Sequence, residues 1–197
     1  MLVQAALFTF LCTMLAAVSR GGAFPGRGSL FLSALSRHLS NFQPHSSEQT
    51  HNATTIDEKV VFEGYRNIVR RTVVLPHGQK VDYDILTQKH LSVVVFVWDT
   101  KTSTTTLVKE YHPGPNQVML GTVAGMCENG KHSSILQAAQ HELEEEAQLR
   151  TDNWYPLLNE GAIMPFDKYS NNKFIPFLAL DCEPVKSAKP LDDEEYI

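Results

Sequence analysis

Three glutamates in one short run carry the strongest chemical signal in this 197-residue chain. Glu142, Glu145 and Glu146 stand at i, i+3 and i+4, so on a helix they share one face, whereas Glu144 points away from them. Clustered carboxylates repel and cost helix stability unless a cation neutralises them. Hard divalent ions such as Mg2+ take oxygen ligands of this kind alongside substrate phosphates. The helix that must hold them carries Ile135, Leu136, Ala139, Leu143 and Ala147 as an apolar stripe beside the glutamates, which puts the acidic edge at the rim of a core. Either Ser133 or Ser134 suits its N-cap. The preceding Ala124-Gly125 and Asn129-Gly130 pairs are expected to form a loop that brings backbone oxygens close to a bound ion. The competing structural reading of the run is a solvated acidic face.

The segment from Gly125 to Leu149 resembles the Nudix box, Gly-x5-Glu-x7-Arg-Glu-U-x-Glu-Glu-x-Gly-U with U a bulky aliphatic. Its core reads cleanly as Glu142-Leu143-Glu144-Glu145-Glu146, and the last U recurs at Leu149. The box arginine is replaced by His141 and the late glycine by Gln148. The upstream glutamate falls on Ser133 or Lys131, depending on the end from which the box is counted. The resemblance implies that this glutamate and the arginine brace the loop against the helix, so that brace is expected to be absent. It also implies metal ligation by the Ala124 carbonyl with Glu142, Glu145 and Glu146, and Mg2+ or Mn2+ as the cofactor.

The resemblance extends upstream to the ADP-ribose and ADP-sugar pyrophosphatase branch. Val61 to Gln79 has that branch's strand, Leu75-Pro76-His77-Gly78 turn and second strand, and proline and glycine two positions apart punctuate a hairpin in their own right. Leu91 to Trp98 is a continuous β-branched and aromatic run, as in a central strand covered on both faces. Asp99 to Thr105 is a polar turn, and Thr106 to Gly114 the next strand, whose Glu110-Tyr111-His112-Pro113 is similar to the family's Gln-Tyr-Arg-Pro motif. A strand from Trp154 leads into a loop at 164–172, and Lys173–Leu180 reads as another strand, with Pro176 favouring an edge or bulge.

The expected fold is an α/β/α sandwich with a mixed sheet, preceded by an N-terminal strand region. The expected activity is hydrolysis of the diphosphate of an ADP-sugar-like substrate to a nucleoside monophosphate and a sugar phosphate. The alternative is a weakly active or inactive nucleotide-sugar binder. The resemblance places substrate contacts at Tyr111, His112, Gly125 and Arg66, and the general base at Asp167 or one of the box glutamates. The bland readings are an edge-strand aromatic for Tyr111 and an Asx turn for Asp167. It further implies a homodimer built through the strands around Phe62 to Thr72, and a further strand and C-terminal helix after residue 197.

Residues 5–17 form an apolar run interrupted only by Thr9 and Thr13, too short to span a bilayer but suited to a signal-peptide core over residues 1–23. Residues 24–56 then begin with Phe24 and are serine-rich, arginine-bearing and free of acids until Glu48, a transit-like composition. The pair resembles the bipartite presequence of algae with secondary plastids, with secretion or an endomembrane lumen as the alternative, and neither leaves a membrane span in the mature protein. Residues 57–197 would form a single domain. Of the 17 basic and 22 acidic side chains, three and one fall in residues 1–50, leaving 14 against 21; such a balance argues against nucleic-acid binding. Cys127 and Cys182 lack metal-type spacing, and a disulfide framework is not expected. A fluorescent fusion to residues 1–50 is predicted to enter a plastid after crossing the ER, and Phe24→Ala to impair plastid entry more than ER entry. Uniform secretion of the unmodified fusion, followed by microscopy, would refute this route.

Overall fold

The structure is a computed structural model that describes residues 53–128, 130–159, 161–186 and 195–196. The signal-like segment and nearly all of the transit-like segment lie outside the described residues. The described residues fall into two compact units: one takes those up to Lys89 with Pro165–Lys173, the other those from His90 to Met164 and from Phe174 onward.

The first unit contains an antiparallel meander of β1 (Thr54–Phe62), β2 (Asn67–Val74) and β3 (Lys80–Thr87), in that spatial order. β1 begins at Thr54, inside the segment read as transit-like. The hairpin between β2 and β3 closes where Gly78 N–H donates to the Leu75 carbonyl at 2.8 Å, with Pro76 fixing the turn and Gly78 at φ 87° supplying the left-handed step. Alternation along β2 buries Val69 and Val73 on one face, while on the other Arg70 meets Asp84 at 2.8 Å and Thr72 meets Asp82 at 2.7 Å. Residues 165–173 join this unit through Leu86, whose N–H and carbonyl bond to Tyr169 and Asn171.

The second unit is built on β4 (Leu91–Asp99), which pairs antiparallel with β5 (Thr104–Thr106) and β8 (Val123–Cys127) and parallel with β12 (Lys173–Leu180), making the sheet mixed. β10 (Trp154–Pro156) and the short β11 (Met164–Pro165) also pair with β12. β6 (Val108–His112) and β7 (Gln117–Gly121) form a hairpin extended by β14 (Glu195–Tyr196), and β9 (Leu149–Arg150) pairs with β13 (Glu183–Pro184). As the β-branched run demands, β4 is covered on both faces: Val93, Val95 and Val97 point one way, Val94 and Phe96 the other, and all are buried.

α1 (Ile135–Ala147) is the one helix among the described residues, and it lies on the Val93–Val97 face. Ala138, Ala139 and Leu143 are fully buried there against Val123, Phe177 and Ala179. Leu136, expected in the stripe, is exposed, and Ala138 takes its place. The two small alanines allow the close approach that rotates the helix away from Leu136. Ser134 is the N-cap: its Oγ accepts the Gln137 N–H at 3.0 Å, and Gln137 Oε1 in turn accepts the Ser133 N–H at 2.6 Å. The helix ends at Gln148 in the left-handed region, φ 53°, ψ 34°. A glycine is favoured at such a place, so the departure from the box pattern carries a backbone cost.

Pro176 is neither in an edge strand nor at a bulge, because β12 runs between β4 and β10. Its carbonyl accepts the Leu157 N–H at 3.0 Å, and the N–H and C=O of an extended residue point to one edge. The missing donor therefore faces away from the β4 ladder, just past the last β10 pair, Pro156 with Phe177.

Candidate active site

Ala124 and Gly125 lie within β8, paired with Val94 and Val93, and not in the loop expected for them. Because α1 packs directly across this strand, the helix face that carries the glutamates is delivered to its backbone. Glu146 is 7% exposed and accepts the Ala124 N–H at 3.1 Å, which compensates a carboxylate that burial alone would disfavour. That N–H points away from β4. The Ala124 carbonyl therefore faces the same edge of β8 as Glu146, the position required of a backbone ligand. Glu142 lies on Gly125 so closely that a Cβ at that residue would collide with its carboxylate. Here the glycine serves close approach rather than a turn.

Glu145 stands at the outer rim, with Lys131 Nζ 3.9 Å from its Oε2, and Glu144 is exposed, as the helical spacing requires. Among the described residues, no three His, Cys, Asp or Glu side chains already converge as a cation cage. The donor set nonetheless suits a hard divalent ion: two carboxylates drawn against β8, a third on the same helix face, and a backbone carbonyl at the same edge.

The loop before α1 supplies a contact that the sequence did not reveal. His132 stacks edge to face on His141, ring centroids 5.2 Å apart, so loop and helix do touch at the position where the brace was expected to be absent. His132 Nδ1 accepts the Glu128 N–H at 3.2 Å, and its buried Nε2 has no hydrogen-bond partner. Burial first, then the neighbouring His141 and Lys131, pull its pKa below the ordinary imidazole value, while Glu128 and Glu145 act in the opposite direction. Two histidines nine positions apart across a loop have no periodic signature, which is why spacing alone missed them.

The remaining expected residues are dispersed. Tyr111 and His112 are adjacent on β6 and therefore face opposite sides of the hairpin. Tyr111 is 45% exposed, and its hydroxyl donates to Asn116 Oδ1 at 2.6 Å; His112 Nε2 is 3.4 Å from Glu110 Oε2 and makes no hydrogen bond. Arg66 is exposed in the bend between β1 and β2, in the first unit. Asp167, in the same unit, accepts the Tyr169 N–H at 2.7 Å, the bond of an Asx turn. An open polar cavity of about 710 Å³ follows the other edge of α1, lined by Gln140, Glu144, Arg150 and Trp154 among others. Arg150 there is bound to Glu183 at 2.7 Å, and none of Glu142, Glu145 and Glu146 reaches the cavity.

Residues 88–197 match the NUDIX domain, and the match contains β8, the loop and all of α1. This chain belongs to the NUDIX family. It is a hydrolase by that membership, and NUDIX hydrolases generally need divalent metal ions. No curated protein matches the chain. Among solved structures, the crystal structure of an ADP compounds hydrolase is similar with a TM-score of 0.58 at 18% identity, over 76% of this chain and 78% of that one. At that identity the likeness shows a shared NUDIX fold.

Gly125→Ala is predicted to change stability little, because the colliding atoms are the far end of a flexible side chain, yet to displace the Glu142 carboxylate. Activity should fall about as far as in Glu142→Gln, and combining the two should add nothing further. Independent, additive losses in a double-mutant cycle would show that Gly125 does not act through Glu142.

Proposed function

We propose that this protein hydrolyses the diphosphate bond of a nucleoside-diphosphate sugar of the ADP-ribose or ADP-sugar class, with Mg2+ or Mn2+, releasing a nucleoside monophosphate and a sugar phosphate. The observation that carries this reading is the seating of Glu142 and Glu146 on Gly125 and Ala124, the box carboxylates held against the strand that carries a backbone ligand position. The upstream resemblance to the ADP-sugar branch and the activity of the structural neighbour, an ADP compounds hydrolase, support this substrate class.

Glu142, Glu145, Glu146 and the Ala124 carbonyl would hold the ion. When bound, a divalent ion supplies neutralisation of phosphate charge and a lowered pKa for a bound water. Ala124 N–H binds Glu146, and Gly125 leaves room for Glu142, so both carboxylates are oriented by backbone that is paired into the sheet. A box glutamate is favoured over Asp167 as the general base, because Asp167 is committed to its turn. Substrate contact by Tyr111, His112 and Arg66 belongs to this proposal, as does delivery to a plastid.

A homodimer is part of the same reading. β1 is exposed along its whole length at the edge of its sheet, with Ile56, Val60, Val61 and Phe62 each more than 40% exposed. Apolar side chains on an open edge call for a covering partner. Sedimentation equilibrium is expected to give a dimer that Phe62→Asp weakens; a monomer at all concentrations would remove this part.

The catalytic assignment is tested by the glutamates one at a time. Mg2+ or Mn2+ at a hundredfold excess over Kd should stabilise the protein by about 2.7 kcal/mol, and Glu145→Gln or Glu146→Gln should abolish that gain. The same substitutions should lower kcat on an ADP-sugar by about a hundredfold, whereas Glu144→Gln should leave it near wild type. Equal loss at all four glutamates, or turnover unaffected by chelator, would make the run a generic acidic face.

A further inference from the structure

Consecutive residues of the loop before α1 meet the helix in reverse order. Ser133 N–H donates to Gln137 Oε1 at 2.6 Å, the His132 ring lies against His141 at 5.2 Å, and Lys131 Nζ stands 3.9 Å from Glu145 Oε2. Gln137, His141 and Glu145 are spaced i, i+4 and i+8, which forms one line along the helix surface. The loop therefore runs antiparallel to α1, one residue to each helical turn. Its outer rung ends on Glu145, which is half-buried where Glu146 is buried.

The three rungs are unequal. The Ser133 rung belongs to the helix cap and would persist without the others. The Lys131 rung is long and partly exposed, with side chains 49% and 32% accessible, and such pairs do not hold a loop by themselves. The middle rung is the rigid one. His132 is tied twice to Glu128, through its ring Nδ1 at 3.2 Å and through its own N–H to the Glu128 carbonyl at 3.2 Å, and that carbonyl also receives the Lys131 N–H at 3.3 Å. Gly130, at φ 90°, lets the backbone double back within this turn. The imidazole is thus a fixed part of the loop, and its edge-to-face contact with His141 joins the whole turn to the middle of the helix.

We propose that the His132–His141 contact is the clasp that holds Glu128 and residues 130–132 on α1, so that Lys131 is delivered to Glu145 and the Glu145 carboxylate is positioned for hydrolysis. Both histidines are positioning residues, and neither touches the reacting atoms. The catalytic consequence rests on the hydrolytic reading above, while the clasp itself is a property of the loop and helix.

The test is a double-mutant cycle on the full chain with two readouts. In metal-free protein, amide hydrogen exchange at Lys131 and His132 should accelerate by about three- to tenfold in His132→Ala and in His141→Ala. The double variant should exchange no faster than either single one. In the hydrolysis assay each single substitution should lower kcat by a similar factor with KM nearly unchanged. The paired replacement His132→Glu with His141→Arg, which rebuilds the contact as an ion pair, should recover most of that loss, although each half alone does not. Additive losses, or a paired variant as poor as its halves, would overturn the clasp, and the paired variant keeps the test decisive if an alanine variant unfolds. A wild-type protein without turnover would defeat the hydrolytic reading alone, because the exchange cycle still decides the clasp.

Discussion

The close contact of α1 with β8 is the constraint on which the candidate site depends. Ala138, Ala139 and Leu143 are fully buried, and they bring the helix so near the strand that the next groups along its surface, Glu142 and Glu146, meet main chain instead of solvent. A carboxylate at that depth needs a donor, and the Ala124 N–H provides one. A side chain at position 125 would occupy the place taken by the Glu142 carboxylate, so that placement of Glu142 requires glycine there. Core packing and carboxylate placement are therefore one arrangement: the same two alanines that complete the core set the height of the acids above the sheet.

The departures from the box pattern acquire local explanations in this frame. Gln148 ends the helix in a left-handed conformation, the backbone state that makes glycine the common residue there. His141 and the lost upstream acid leave no ion pair at the brace position, yet loop and helix still meet there through His132, with Lys131 and Ser133 on either side. The difference is physical in kind. An ion pair across a loop is long-ranged and salt-sensitive, whereas stacked imidazoles depend on shape and short-range contact.

The two units differ in how they are held. The second has a contiguous apolar core in which β4 is covered on both faces. The first is a three-stranded meander whose inner face buries little beyond Val69, Val73 and Ile85, and whose outer strand is exposed throughout. A sheet so thinly covered is the kind of element that gains most from a partner.

Features of short sequence range were legible in the chain before any coordinates. The shared face of Glu142, Glu145 and Glu146, the outward Glu144, the Leu75–Gly78 turn and the doubly covered strand from Leu91 all follow from backbone periodicity or turn chemistry, which neighbouring residues settle among themselves. Family membership was readable in the same way, from the spacing of the glutamates. Other features depended on what the chain meets far along its length. Helical phase could not choose between Leu136 and Ala138, because the decision came from how closely Val93 and Val123 let the helix approach. Pro176 looked like an edge residue until the side of the strand its nitrogen faces was known. Ala124 and Gly125 looked like loop until β4 paired with them, and the contact between His132 and His141 has no period to betray it. In each case a long-range packing partner outweighed a local preference of a kcal/mol or so, and only the tertiary structure brings that partner into place.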